Sequence, residues 1–288
     1  MTDINAIHPG DDGGNTGQSH EAQFCLPDTR RFTLVRRGSD CTYRIDVAIA
    51  DGVPPAGGWP SIVLLDAAGC FATCVEALRR MSRRPDATGV RPAVVIGISS
   101  AGPTQDNRQR QLDLTSAHPD KADTGGAPGF LSFIEDQVKP LVAGIIPLDP
   151  DRQTLFGHSL AGYFTLWALA NHPAAFRNYA AISPSIWWDP DGLMAALSAL
   201  AVRDRNLLLC LGEWEDALPP WQRAAPGSAD VIARRRSRRM LGNAQALTDR
   251  LTSLLGEDRV QFRFLPEEDH ASIISAAIPR MLRLASLP

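Results

Sequence analysis

The chain has 288 residues, of which 44% are hydrophobic and 21% charged, and a formal net charge of −3. This is the make-up of an ordinary globular protein, and it excludes both a strongly basic nucleic-acid module and an acidic tail. No stretch approaches the ~18 to 20 consecutive apolar residues of a membrane span, and a chain of this length buries about three quarters of its unfolded surface without help from disulfides or metal.

Residues 1–24 are rich in Asp, Asn and Gly and have neither a basic n-region nor an apolar h-region. They read as a disordered lead-in rather than a signal peptide. Residues 32–35 form a first short strand. Tyr43, Ile45, Val47 and Ile49 then alternate with Arg44, Asp46 and Ala48, the period-2 pattern of a strand with one wet face. Residues 62–65, 93–96 and 207–211 are continuously apolar, and residues 260–265 less cleanly so. That pattern suits parallel strands covered on both faces. Short runs at 154–156 and 180–182 complete the set.

Helical stripes lie between the strands. Phe71, Cys74, Val75, Leu78 and Met81 form one, Phe130, Ile134, Val138 and Leu141 a second, and Leu241, Ala244, Leu247, Leu251 and Leu254 a third. Strands alternating with amphipathic helices predict an α/β fold: a doubly wound, mostly parallel central sheet with an antiparallel edge and helices on both faces. Residues 25–288 read as a single domain. Two stretches, 99–128 and 216–230, show little periodicity and read as irregular connections, which at such length are functional or disordered. Cys25, Cys41, Cys70, Cys74 and Cys210 are odd in number and mostly sit inside apolar patterns. They suit reduced thiols in a cytoplasm, and no second Cys or His pair turns Cys70 and Cys74 into a metal site.

The strongest chemical signal is Gly157-His158-Ser159-Leu160-Ala161-Gly162. It follows a short strand and opens the apolar helical run of residues 163–171, the context in which a serine is presented as a nucleophile. Small neighbours let strand and helix approach, and Ala161, standing where the usual pattern has glycine, is still small.

A serine hydroxyl needs a base to take its proton. His270 follows the last strand, where doubly wound hydrolases carry that base. His158 is expected to point away around the turn, and His172 to serve as a helix C-terminal cation. The acid belongs after the preceding strand. Glu215, three residues past Gly212, has the usual placement, with Glu213 and Asp216 as alternatives. The oxyanion donors are expected to be the amide of Leu160 and one from the loop after residues 62–65, that of Ala67 or Ala68.

Taken with residues 180–189, which include Ser183-Pro184-Ser185-Ile186-Trp187-Trp188, these features resemble the α/β-hydrolase family of siderophore esterases. The likeness spans roughly residues 30–285. It implies an enzyme that opens the ester backbone of a catecholate siderophore so that iron can be released, with Ser159 as nucleophile and His270 as base. Its partner is a small-molecule ester, ferric or free, with iron only as part of that substrate and no other cofactor. No nucleic acid or membrane insertion is expected, and the cytoplasm is the expected compartment. Ala161 and Ala67 depart from glycines of the family and are expected to narrow the oxyanion region.

A ferric tris-catecholate is large and anionic, so cations and aromatic faces should line its pocket. Arg108 and Arg110 in the long loop could pair with it, and one of Trp187 and Trp188 should face it while the other packs in the core. The run from Arg234 to Arg239 reads as the solvated opening of the helix that carries Leu241 to Leu254, with an electrostatic funnel as the other reading. The same chemistry would serve a small-ester, feruloyl or thioester hydrolase, or an acyltransferase. A non-catalytic binding protein is the remaining alternative.

Overall fold

Six consecutive parallel strands bring their C-terminal ends to one edge of the sheet, and that edge carries the chemistry. The computed structural model describes residues 25–102 and 106–288; the lead-in expected over residues 1–24 lies outside them. In chain order the elements are β1 (Thr29–Val35), β2 (Thr42–Ala48), β3 (Trp59–Leu65), α1 (Phe71–Ser82), α2 (Pro85–Thr88) and β4 (Val94–Ser100). There follow α3 (Asn107–Leu114), α4 (Ala127–Phe133), α5 (Lys139–Ala143), β5 (Leu148–His158), α6 (Leu160–Asn171) and β6 (Asn178–Ile182). The chain closes with α7 (Pro190–Ser198), β7 (Asn206–Gly212), α8 (Ser228–Arg238), α9 (Met240–Leu255), β8 (Val260–Leu265) and α10 (Ile273–Ala285).

The strand order is β1-β2-β4-β3-β5-β6-β7-β8. β1 and β2 run antiparallel to their neighbours, and every other pairing is parallel. The continuous apolar runs are explained by cover on both faces. Successive side chains point to opposite sides, so Val63 and Leu65 join the core under α4, α6 and α9, whereas Ile62 and Leu64 join the one under α1 and α10. The face of β2 expected to be wet is partly covered, since Asp46 is buried beneath Arg31 and Arg44 at 2.6 and 3.1 Å.

Two expected loops contain helices. α3 lies within residues 99–128; it has no apolar stripe, and its start is fixed by the Asp106 carboxylate, which accepts from the amides of Arg108 and Gln109. The arginine run does not open α9. It forms the end of the separate helix α8, and Arg239, left-handed at φ 47° and ψ 44°, is the joint between the two. α4 runs through a wider π turn at Ile134–Val138 into α5, so the stripe from Phe130 to Leu141 is one interrupted helix.

Candidate active site

β5 ends at His158 and α6 begins at Leu160, leaving Ser159 alone at the bend with φ 59° and ψ −118°. A side chain seldom adopts such angles unless its surroundings impose them. Here they follow from close packing: a Cβ at Gly157 would collide with the Ala161 carbonyl, and one at Gly162 would come within 3.0 Å of both Ile182 and Pro184 backbone atoms. The helix start leaves the Leu160 amide without an intrahelical acceptor.

Three side chains from three strand ends meet at this bend. Ser159 Oγ lies 3.0 Å from His270 Nε2. His270 Nδ1 lies 3.0 and 3.1 Å from the two carboxylate oxygens of Glu215. Glu215 is buried at 6% exposure on the 3-10 turn Glu213–Glu215 that follows β7. The other two carboxylates do different things. Glu213 accepts from the Glu267 amide at 2.8 Å and so braces the histidine loop. Asp216 is drawn to the backbone of Leu241, with burial pushing its pKa up. Asp269 caps the turn beyond His270, accepting from the amides of Ala271 and Ser272 at 2.8 and 2.9 Å. Those bonds hold its pKa below the usual carboxylate range.

His158 does not point away from the site. β5 alternation turns its ring to the α10 side of the sheet, and His270 reaches the serine from that same side. The two rings lie 4.6 Å apart. Burial, with lesser contributions from the nearby charges of His270 and Arg110, pushes the His158 pKa down to about 4. Ser185 adds a second hydroxyl beside the nucleophile, with its Oγ 3.4 Å from Ser159 Oγ. The Ser-Pro-Ser motif was the signal for it.

Next to the bend, Asp66 takes left-handed angles (φ 51°) and turns the chain into the short helix Ala67–Gly69. The amide of Ala68 donates to Ser99 Oγ at 2.9 Å. Ala67 and Ala161 are wholly buried, one in each of the two cores. A cleft of about 360 Å³ opens alongside, lined by Asp66, Ser99, Arg110 and Tyr43 among others. Arg110 faces it and holds Asp66 at 2.7 Å. Arg108 is not brought there: its side chain is 81% exposed and forks onto Asp123. Trp188 is buried and Trp187 half-buried, packed edge to face 6.2 Å apart. His118 approaches Trp188, and His172 packs against Trp167 at the end of α6.

The family model Esterase, described as "Putative esterase", matches residues 39–266. The chain is 34% identical to the ferri-bacillibactin esterase BesA of Bacillus subtilis, over 96% of this chain and 95% of that one. It is 32% identical to the siderophore triacetylfusarinine C esterase of Aspergillus fumigatus, over 90% and 93% of the two chains. The chain belongs to the siderophore esterase family. This esterase shares its α/β-hydrolase fold with the crystal structure of the BES protein from Bacillus cereus, with a TM-score of 0.77 and 26% identity over 95% of this chain and 100% of that one. It is a carboxylic ester hydrolase. Among the described residues no helix is long and apolar enough to cross a membrane.

Proposed function

We propose that this esterase hydrolyses the ester backbone of a catecholate siderophore by covalent catalysis at Ser159. The observation that carries the reading is the unbroken path from Ser159 Oγ through His270 to Glu215, with links of 3.0, 3.0 and 3.1 Å. His270 Nε2 takes the hydroxyl proton as Oγ bonds to the ester carbonyl carbon, and Glu215 stabilises the imidazolium that forms. The negative charge moves to the carbonyl oxygen, where we assign the amides of Leu160 and Ala67 as donors, the Ala68 amide being engaged by Ser99. Collapse breaks the bond to the leaving alcohol, which receives the proton from His270. Water then repeats the sequence on the acyl-enzyme, releasing the acid and restoring Ser159.

The likeness to an esterase of ferri-bacillibactin supports a catecholate ester as substrate. Arg110 at the cleft and the half-buried Trp187 support an anionic, aromatic ligand over a small neutral ester. The chemistry uses no resident metal or cofactor, and iron enters only as cargo of the substrate. The cytoplasm is the compartment we assign, in keeping with five unpaired cysteines.

The test is hydrolysis of a chromogenic short ester and of a tri-catechol trilactone before and after Ser159→Ala. Loss of both activities by about 10⁴-fold or more is expected, and activity surviving on either substrate overturns the assignment. A higher kcat/KM for a feruloyl ester than for the catechol ester would move the substrate class and leave the chemistry in place.

A further inference from the structure

Among the described residues, Arg238 differs from the cations Arg108, Arg110 and Lys121 near the site. Arg110 is held by Asp66, and Arg108 by Asp123. Lys121 sits 3.9 Å over the Trp188 ring, and its ammonium also donates to the Trp188 carbonyl at 3.3 Å. Arg238, in the last turn of α8, lays its guanidinium 4.6 Å over the Trp187 ring. It makes no ion pair or side-chain hydrogen bond among the described residues.

Both neighbours of Arg238 lead back to the catalytic bend. Trp187 stands two residues beyond Ser185, whose hydroxyl is 3.4 Å from that of Ser159. Burial, with the neighbouring Arg234, draws the Arg238 pKa down, and Glu215, the partner of His270, is close enough for its charge to oppose them. A partly buried charge with no carboxylate in direct contact is incompletely compensated, and an arriving anion completes that compensation. A guanidinium stacked on an aromatic ring keeps its edge N–H groups free, in a fork that matches two adjacent oxygens. The vicinal oxygens of a catechol ring present such a pair, and the ring itself offers a planar face to the indole.

We infer that Arg238, held flat by Trp187, binds the vicinal oxygens of a catecholate ring of the substrate and so determines specificity for it. This rests on the catecholate reading given above. It assigns the end of α8 a recognition role, in place of the solvated helix end expected for the arginine run.

The experiment compares two trilactones that differ only at the ring oxygens, one with free catechols and one with those hydroxyls O-methylated. The readout is the ratio of their kcat/KM values, since a residue that only supports α8 would change both alike. Wild type should favour the free catechol, and Arg238→Met should lower the ratio by about tenfold or more, the worth of one charge-assisted hydrogen bond. Arg238→Lys should recover part of it, and it carries the comparison if the methionine variant folds poorly. A wild-type ratio near one, or a ratio unmoved in both variants, overturns the Arg238 assignment alone. Hydrolysis of neither trilactone by wild type overturns the proposed substrate, and this inference with it.

Discussion

The ring of His158 lies against that of His270, centroids 4.6 Å apart and planes inclined by 49°. Burial holds His158 neutral, its pKa down at about 4 from an ordinary 6.5. Unfolding returns it to the ordinary value, so between these limits the unfolded chain binds the extra proton. Its contribution to stability is therefore whole above pH 6.5 and is lost as pH falls toward 4, up to about 3 kcal/mol. Urea unfolding at pH 7 and pH 4.5 should show wild type losing about 2 kcal/mol more than His158→Phe. Equal losses in the two proteins would contradict this account.

Only one of the three carboxylates after β7 touches the imidazole. Glu215→Gln should cut kcat on a short ester by about 10³- to 10⁴-fold, because the imidazolium loses its counter-charge and the histidine its preferred tautomer. Glu213→Gln and Asp216→Asn should stay within about threefold, as expected of side chains away from the reacting atoms. Steady-state kinetics of the three variants decides the matter, and a comparable fall in either of the latter two would reassign the acid.

Ser99 is tied to the catalytic bend through the Ala68 amide, from which its Oγ accepts at 2.9 Å. Ser99→Ala frees the Ala68 amide and loosens the turn that presents Ala67. A fall in kcat of about five- to tenfold is expected, less than the 10²- to 10³-fold that follows loss of an oxyanion donor. KM should change little. A KM effect with kcat intact would instead make Ser99 a substrate contact.

Asp113 ties α3 to the sheet. Its buried carboxylate accepts from Tyr43 Oη at 2.5 Å, Gln109 Nε2 at 2.9 Å and Arg36 Nη1 at 2.9 Å. Asp113→Ala strands three donors, one of them a mostly buried charge, and should cost about 3 to 5 kcal/mol in chemical denaturation. Asp113→Asn, which still offers an oxygen to Tyr43, should cost less. A loss under about 1 kcal/mol for the alanine variant would place the stability of this corner elsewhere.

The parallel strands were legible because burial on both faces leaves uninterrupted apolar runs, as at residues 62–65 and 207–211. The elbow was legible because its glycines are demanded by contact, not by chance. What escaped was carried by weaker marks. α3 is polar throughout and announced itself only through the cap at Asp106. The break between α8 and α9 falls on an arginine in left-handed conformation, with neither glycine nor proline to flag it. The turn of His158 toward His270 depends on which face the distant α10 loop descends, and local spacing cannot carry that. Arg238 was visible as charge, but its position over Trp187 needed the fold.

None of the eleven residues of α8 is buried. The helix can therefore be exchanged between relatives, or randomised in a library, without leaving a void in either core. Chimaeras that graft this one segment offer a route to altered ligand preference at little cost in folding.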